Sequence, residues 1–441
     1  MQYEYVATCL FGLEKFVGEE IEALGYERTH TMDGRVTFKG DMTAIARCNM
    51  WLRCAERVYI KMGSFRASTF TELFDGTRAL PWEEWIGRDD AFPVKGHSVR
   101  SALTSIPDCQ AIVKKAIVER MKEEHGLEVF PEEGTKYQID FFIYNDEATL
   151  MIDTSGEPLY KRGYRIQAGA APLRETLAAA MVKTSRPREN VLLWDPMCGS
   201  GTIPIEAALL MTNTAPGRFR HFVSEDFLDI PVSVWKNARE EARDLVKPTE
   251  FRAYASDIDP AMVEMAQANI RRAGMGDIIK TFVKDARTVA AGGMRGTIVC
   301  NPPYGERLMD IKSAEALYRE MGDCFAKLDK WQIYVLTSDD WFEKHYGRRA
   351  DKVRKLYNGM LKCNLYQFFK APEEVGFKKD FKKDFKKDFG SERKEYPKKD
   401  FRKGFDSDRK EYPKNDGKRF EKSGNYRAER PFYPKKDRSD K

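Results

Sequence analysis

The stretch that most constrains this chain is Thr297-Ile-Val-Cys-Asn-Pro-Pro-Tyr-Gly305. Thr297 to Cys300 are β-branched or apolar and read as a buried strand ending at Asn301. Two prolines then stiffen the turn: each holds φ near about −65°, neither carries an N–H, and Pro303 keeps Pro302 out of the helical region. The Pro302 carbonyl is thereby aimed in one direction, with the Asn301 side chain as a second acceptor beside it. Two fixed acceptors suit a nitrogen with two hydrogens, such as the exocyclic amine of a nucleobase. Gripping both hydrogens favours a tetrahedral nitrogen whose lone pair can attack. Tyr304 offers a flat face for a base taken out of its stack. The competing reading is a proline-rich strand-to-helix loop without chemistry, and the strands upstream weigh against it.

Val191-Leu-Leu-Trp-Asp-Pro-Met-Cys-Gly-Ser-Gly-Thr-Ile203 reads as a strand, a glycine-rich turn and the start of a helix. Gly199 and Gly201 let the backbone turn sharply and come close to a ligand. No Lys follows the second glycine, so this is not a P-loop. Asp195 at the strand end would repel a polyphosphate and suits a ligand carrying an ammonium group. A second strand, Arg252 to Asp259, places Asp257 where it can accept both hydroxyls of a ribose. A third, Ile279 to Val283, ends near Asp285, which can accept from an adenine amino group. Each acid alone is an ordinary strand-end residue. Three of them on successive strands, with Asn301-Pro-Pro-Tyr304 on a fourth, form a far more specific set. The helix after Gly201 and one opening at Ala171-Pro172 complete the predicted α/β pattern, followed by strands at Trp331–Thr337 and around the hairpin turn Asn358-Gly359.

The first 165 residues alternate strand and helix patterns: a strand at Tyr3–Leu10, a helix over Gly12–Leu24, a hairpin about Asp33-Gly34 and a helix over Met42–Tyr59. Further on come a basic helix over Asp108–His125, whose Lys114 and Lys115 are candidates for RNA contact, a hairpin at Tyr137–Asp153, and the run Tyr160-Lys-Arg-Gly-Tyr-Arg165. Lys161, Arg162 and Arg165, interleaved with tyrosines, are candidates for phosphate contact; a solvated turn is the alternative.

At 441 residues the chain needs two or three domains. It has no apolar run of about 18 residues and no basic-then-apolar start, so a cytoplasmic protein with no membrane segment is expected. Its eight cysteines are scattered and its five histidines stand apart, which predicts reduced thiols and no metal site. The net charge of +6 is unevenly spread: from Phe377 onward there are 24 Lys and Arg against 14 Asp and Glu, and the body holds 51 against 55. That tail repeats Lys-Lys-Asp-Phe and has scarcely any aliphatic residues, so it is expected to be disordered and able to stack on single-stranded RNA.

Asp195-Pro-Met-Cys-Gly-Ser-Gly-Thr-Ile-Pro-Ile-Glu206 together with Asn301-Pro-Pro-Tyr-Gly-Glu-Arg-Leu308 resembles the class I S-adenosylmethionine-dependent methyltransferases of the THUMP-containing ribosomal RNA guanine-N2 group. The resemblance implies an α/β fold with a ferredoxin-like module over 1–60, a THUMP module over 61–166 and a Rossmann-like methyltransferase domain over 167–372. The last is expected to hold a mostly parallel seven-stranded sheet with a C-terminal antiparallel hairpin, ahead of a basic tail over 373–441. The family's pattern assigns Asp195, Gly199 and Gly201 to the methionine part of S-adenosylmethionine, Asp257 to the ribose with Ile258 beside it, and Asp285 to the adenine. Asn301, Pro302, Pro303 and Tyr304 would hold the target amine. The implied partner is 23S rRNA or a large-subunit precursor particle, and the absence of a second methyltransferase domain implies a single activity. Three alternatives stay open: a tRNA guanine-N2 enzyme, an adenine-N6 enzyme, and a non-catalytic RNA-binding assembly factor.

Overall fold

The computed structural model describes residues 2–126, 129–165, 173–304 and 310–369; the predicted tail and the segment after Tyr304 lie outside them. Two seven-stranded sheets form the frame. The first is built from β1 (Tyr3–Cys9), β2 (Glu27–Met32), β3 (Arg35–Gly40), β4 (Ala55–Arg66), β5 (Val94–Val99), β6 (Ile139–Tyr144) and β7 (Glu147–Asp153), in the order β2-β3-β1-β4-β7-β6-β5. Its 12-residue strand β4 pairs with β1 on one side and β7 on the other, so the two N-terminal modules share one sheet. Strict alternation sets its faces. Tyr5, Ala7, Val36, Phe38, Val58, Ile60, Leu150, Ile152, Phe141 and Ile143 point into the core, and the intervening residues point away.

The helix expected over Met42–Tyr59 stops at Trp51, and Ala55–Tyr59 is strand instead. The Glu20 carboxylate accepts from the backbone N–H groups of Arg53 and Cys54, which turns the chain, and Val58 then pairs with Ala7. The helix expected from Ala171 begins at Glu175. A short helix over Phe342–Tyr346 is ended by Gly347 at φ +80°.

The second sheet comprises β8 (Leu192–Asp195), β9 (Ala253–Asp257), β10 (Ile279–Val283), β11 (Gly296–Cys300), β12 (Trp331–Thr337), β13 (Lys352–Asn358) and β14 (Leu361–Phe368), in the order β10-β9-β8-β11-β12-β14-β13. The pairs from β10 across to β12 are parallel, and the β13–β14 hairpin is antiparallel. The chain steps outward from β8 to β9 to β10 and then returns to lay β11 on the other side of β8. That reversal opens a crevice at the carboxyl ends of β8 and β11, where ligands bind in open α/β sheets.

The sheets are tied together by half-buried ion pairs. Arg47 makes a two-point bond to Glu241, both at 2.8 Å, and Lys183 pairs with Glu20 at 2.7 Å. Glu175 is buried, and that burial pushes its carboxyl up to about 7 despite Arg165 Nε at 3.1 Å. A carboxyl whose pKa is higher folded than unfolded binds more protons when folded, so its contribution to stability is full at low pH. It is then lost as pH rises from the usual 4.5 to about 7. Melting temperatures measured from pH 5 to 7.5 should therefore fall less steeply for Glu175→Gln than for the unaltered chain. Parallel curves would show that Glu175 is ionised throughout.

Candidate active site

Strand register puts four predicted groups in a row. Asp195 is level with Ala255 on β9, two residues short of Asp257; Asp257 is level with Val283 on β10, two short of Asp285. On the other side Ile298 is level with Trp194, so Asn301 lies just past the end of β11 beside Asp195. Asp285, Asp257, Asp195 and Asn301 thus follow one another along adjacent parallel strands, spanning three strand spacings or about 14 Å.

Asp195 is 2% exposed, and the one hydrogen bond to its carboxylate among the described residues comes from Met197 N–H at 3.2 Å. Burial pushes this carboxyl well above the usual range, and the neighbouring Asp257 adds to the effect. Such a group calls for a cation. Gly199 and Gly201 have φ of +49° and +82°, and Gly199 N–H donates to Asp257 Oδ2 at 3.0 Å. A Cβ on Gly199 would meet nothing within 4 Å, so open space lies beside the turn. The second Asp257 oxygen accepts from Asp259 N–H at 3.1 Å. Ile258 next to it is 61% exposed, an apolar side chain left at the crevice rim. The Asp285 carboxylate is held from several sides by Arg287, with Nε 2.9 Å from both oxygens, which keeps it below the usual carboxylate range.

At the proline corner Pro302 is buried, while Asn301, Pro303 and Tyr304 are half-buried. The Tyr304 hydroxyl donates to Asn301 Oδ1, and its ring packs on the core, so it is not presented as an open stacking face. Tyr318 from the helix Ile311–Phe325 donates to the Pro303 carbonyl at 2.8 Å and lies 3.0 Å from the Thr337 hydroxyl. Asn269 Nδ2 likewise donates to the Ser200 carbonyl at 3.0 Å and fixes the glycine turn. Sequence reasoning missed both supports, because Tyr318 and Asn269 sit on buried helical faces where a core residue is expected.

The predicted RNA contacts are mostly spoken for. Arg162 is 2% exposed; it donates to the carbonyls of Leu159 and Arg53 and lies 3.5 Å from the buried Glu206. It cannot touch RNA, which corrects the reading of the Lys161–Arg165 run. Arg165 bonds the Leu173 carbonyl and the Thr202 hydroxyl. Lys114 pairs with Glu132 at 2.6 Å and lies over the Phe92 ring, Lys115 lies 5.8 Å from the Phe74 ring, and Lys161 pairs with Glu157.

With this geometry in hand, residues 162–367 match the RMKL-like methyltransferase domain, residues 4–59 the RlmL ferredoxin-like domain and residues 67–153 the THUMP domain. The chain is 45% identical over 371 residues to YpsC of Bacillus subtilis (strain 168), whose name assigns it provisionally to the RNA methyltransferases; the match covers 83% of this chain and 96% of YpsC. The chain belongs to the RMKL-like methyltransferase family. A solved relative, SMU.472, was crystallised with SAH; it is 41% identical, with a TM-score of 0.79, over 83% of this chain and 98% of its own. The ribosomal RNA large subunit methyltransferase K/L of Psychromonas ingrahamii is 34% identical over 82% of this chain, which spans about half (49%) of that protein. The crevice thus lies in an RMKL-like methyltransferase domain, whose cofactor is S-adenosylmethionine.

Proposed function

We propose that this chain transfers a methyl group from S-adenosylmethionine to the exocyclic N2 amine of a guanine in 23S ribosomal RNA. The observation that carries this reading is the buried Asp195 carboxylate, without a cation among the described residues, beside the Asn301-Pro-Pro-Tyr304 corner at the switch point. Asp195 suits the ammonium of the methionine part, Asp257 a ribose, and the exposed Ile258 an apolar ring face. The names carried by YpsC and the K/L relative support RNA, and the latter supports the large ribosomal subunit.

When bound, S-adenosylmethionine supplies an electrophilic methyl on a sulfonium that departs as a neutral thioether. The protein's part is positioning. Asn301 Oδ1 and the Pro302 carbonyl accept the two amine hydrogens, which requires the Tyr304 hydroxyl to release Asn301. The proton lost after transfer passes to water.

Two expected results test the parts. Gly199→Ala places a methyl in the open space beside the turn, so stability should change by only about 1 kcal/mol. Affinity for S-adenosylhomocysteine by calorimetry should nevertheless fall at least ~10-fold; an unchanged affinity would move the cofactor elsewhere. Tyr318→Phe removes the hydroxyl that holds the Pro303 carbonyl, so turnover should fall ~10-fold with cofactor affinity unchanged, since neither Tyr318 nor Thr337 lies among the cofactor residues.

Incubating the chain with methyl-labelled S-adenosylmethionine and unmodified 23S rRNA, then digesting to nucleosides, tests the whole. Label in N2-methylguanosine is expected. Label in N6-methyladenosine would change the acceptor base, label only in tRNA would change the substrate, and no label in any RNA would leave the assembly-factor reading.

A further inference from the structure

The C-terminal hairpin of the second sheet rises past the acceptor corner. Cys300, Val335 and Tyr366 are level across β11, β12 and β14, and β14 runs antiparallel to β12. From Tyr366 the strand leads back six residues to Met360, as much as about 20 Å beyond the end of β11. β12 itself stops at Thr337, level with Asn364, so the tip of the hairpin stands above its neighbours. Asn358 pairs with Leu361, which leaves Gly359 and Met360 as a two-residue turn with Gly359 at φ +66°. Met360 is 98% exposed.

The hairpin is braced from base to tip. β13 and β14 pair without a break from Lys352 with Gln367 to Asn358 with Leu361. Arg354 donates to the Gly12 carbonyl at 3.0 Å, and the Phe11 ring meets Tyr357 edge-on at 5.8 Å. Below the tip, Cys363 is buried against Tyr304 of the corner. The stretch Lys352-Val-Arg-Lys-Leu-Tyr-Asn-Gly-Met-Leu-Lys362 holds four cations and no acid. The exposed Lys355 forms no ion pair among the described residues, and the exposed Lys362 meets Asp340 at the surface.

A single exposed apolar side chain is ordinary on a protein surface. This one is carried on a rigid, basic ribbon beside a site that must receive a base taken out of its stack. A base that leaves its stack uncovers the faces of its two neighbours, and proteins that open such steps fill them with an apolar wedge. Methionine suits the gap, because its chain is unbranched and its sulfur makes favourable contacts with aromatic rings. Phosphates on either side would meet Lys355 and Lys362.

We propose that Met360 is a wedge that enters the RNA stack where the target guanine leaves it, with Lys355 and Lys362 on the neighbouring phosphates. The inference rests on the methyl-transfer reading and adds how the base is brought within reach of Asn301.

The test uses the full chain with folded 23S rRNA as methyl acceptor. Met360→Ser should lower kcat ~10-fold, the loss falling on kcat rather than KM because the base leaves its stack after the RNA has bound. Met360→Leu, which keeps an apolar side chain of similar volume, should stay within about a factor of two of the unaltered chain. Affinity for S-adenosylhomocysteine and melting temperature should be unchanged in both, since the side chain is outside the core. Unaltered turnover in Met360→Ser, a change in KM alone, or an equal loss in Met360→Leu would overturn the proposal. Met360→Cys carrying an azidophenacyl group should crosslink to 23S rRNA on irradiation beyond the level given by the unaltered chain treated alike; no excess would also overturn it. Crosslinking from position 360 without methylation of any RNA would refute the methyl-transfer reading and keep the tip inserted in RNA. Normal methylation that Met360→Ser leaves intact would refute the wedge alone.

Discussion

Asn301→Ala is expected to lower methyl-transfer turnover ~10²- to 10³-fold while affinity for S-adenosylhomocysteine stays within about a factor of two. The separation follows from the row of strand ends. Asp195, Asp257 and the glycine turn lie on β8 and β9, whereas Asn301 ends β11 on the far side of β8. Removing its amide takes away one of two acceptors without touching the others. The Pro302 carbonyl remains fixed, because Tyr318 still anchors the turn through Pro303. An amine held by one acceptor keeps a free hydrogen, stays closer to planar and swings about the remaining bond. A misplacement of about 1 Å is enough for a hundredfold loss. Tyr304→Phe is the companion variant: it frees Asn301 Oδ1 from the hydroxyl that occupies it, so its loss should be much smaller. Turnover near the unaltered value in Asn301→Ala would mean that the amine is gripped elsewhere.

Arg162→Ala is expected to cost about 3–5 kcal/mol of stability, measured by urea unfolding. Its guanidinium is enclosed where the N-terminal modules meet the methyltransferase domain, bonding two carbonyls and facing a Glu206 side chain that is 0% exposed. Tyr164 also donates to Glu206, at 3.1 Å. Without the arginine, a buried carboxylate keeps one neutral donor and two carbonyls lose theirs. Replacing both members, as Arg162→Met with Glu206→Leu, should recover a large part of the loss, since the double change removes both charges of the pair together. A cost below about 1 kcal/mol for Arg162→Ala, with weakened RNA binding instead, would restore the phosphate-contact reading of the run.

The Arg162 case shows where sequence stops being informative. Tyr160-Lys-Arg-Gly-Tyr-Arg165 looks the same whether its cations face water or a neighbouring domain; the decision is made by Glu175 and Glu206, which lie outside the run, Glu206 on a separate helix. The strand-end acids were legible for the opposite reason. Each lies at or just past the end of a predicted strand, and parallel strands bring such ends to one edge whatever the loops between them do. The merging of two modules into one sheet depends on β4 pairing on both sides, a long-range choice with no local signature. The face of that sheet was half visible: Ile139, Phe141 and Ile143 alternate with Asp140, Phe142 and Tyr144, giving an apolar face and an aromatic-polar one. What the pattern did not show is the curl that carries Arg35 across to Phe142.

The central claim is that the corner after β11 presents a guanine amine to the cofactor. Mass analysis of 23S rRNA nucleosides from a strain deleted for this gene, complemented with either the unaltered chain or Asn301→Ala, tests it most directly. One N2-methylguanosine should vanish on deletion and return with the unaltered chain alone. Its persistence in the deletion strain, or its full return with Asn301→Ala, would contradict the account.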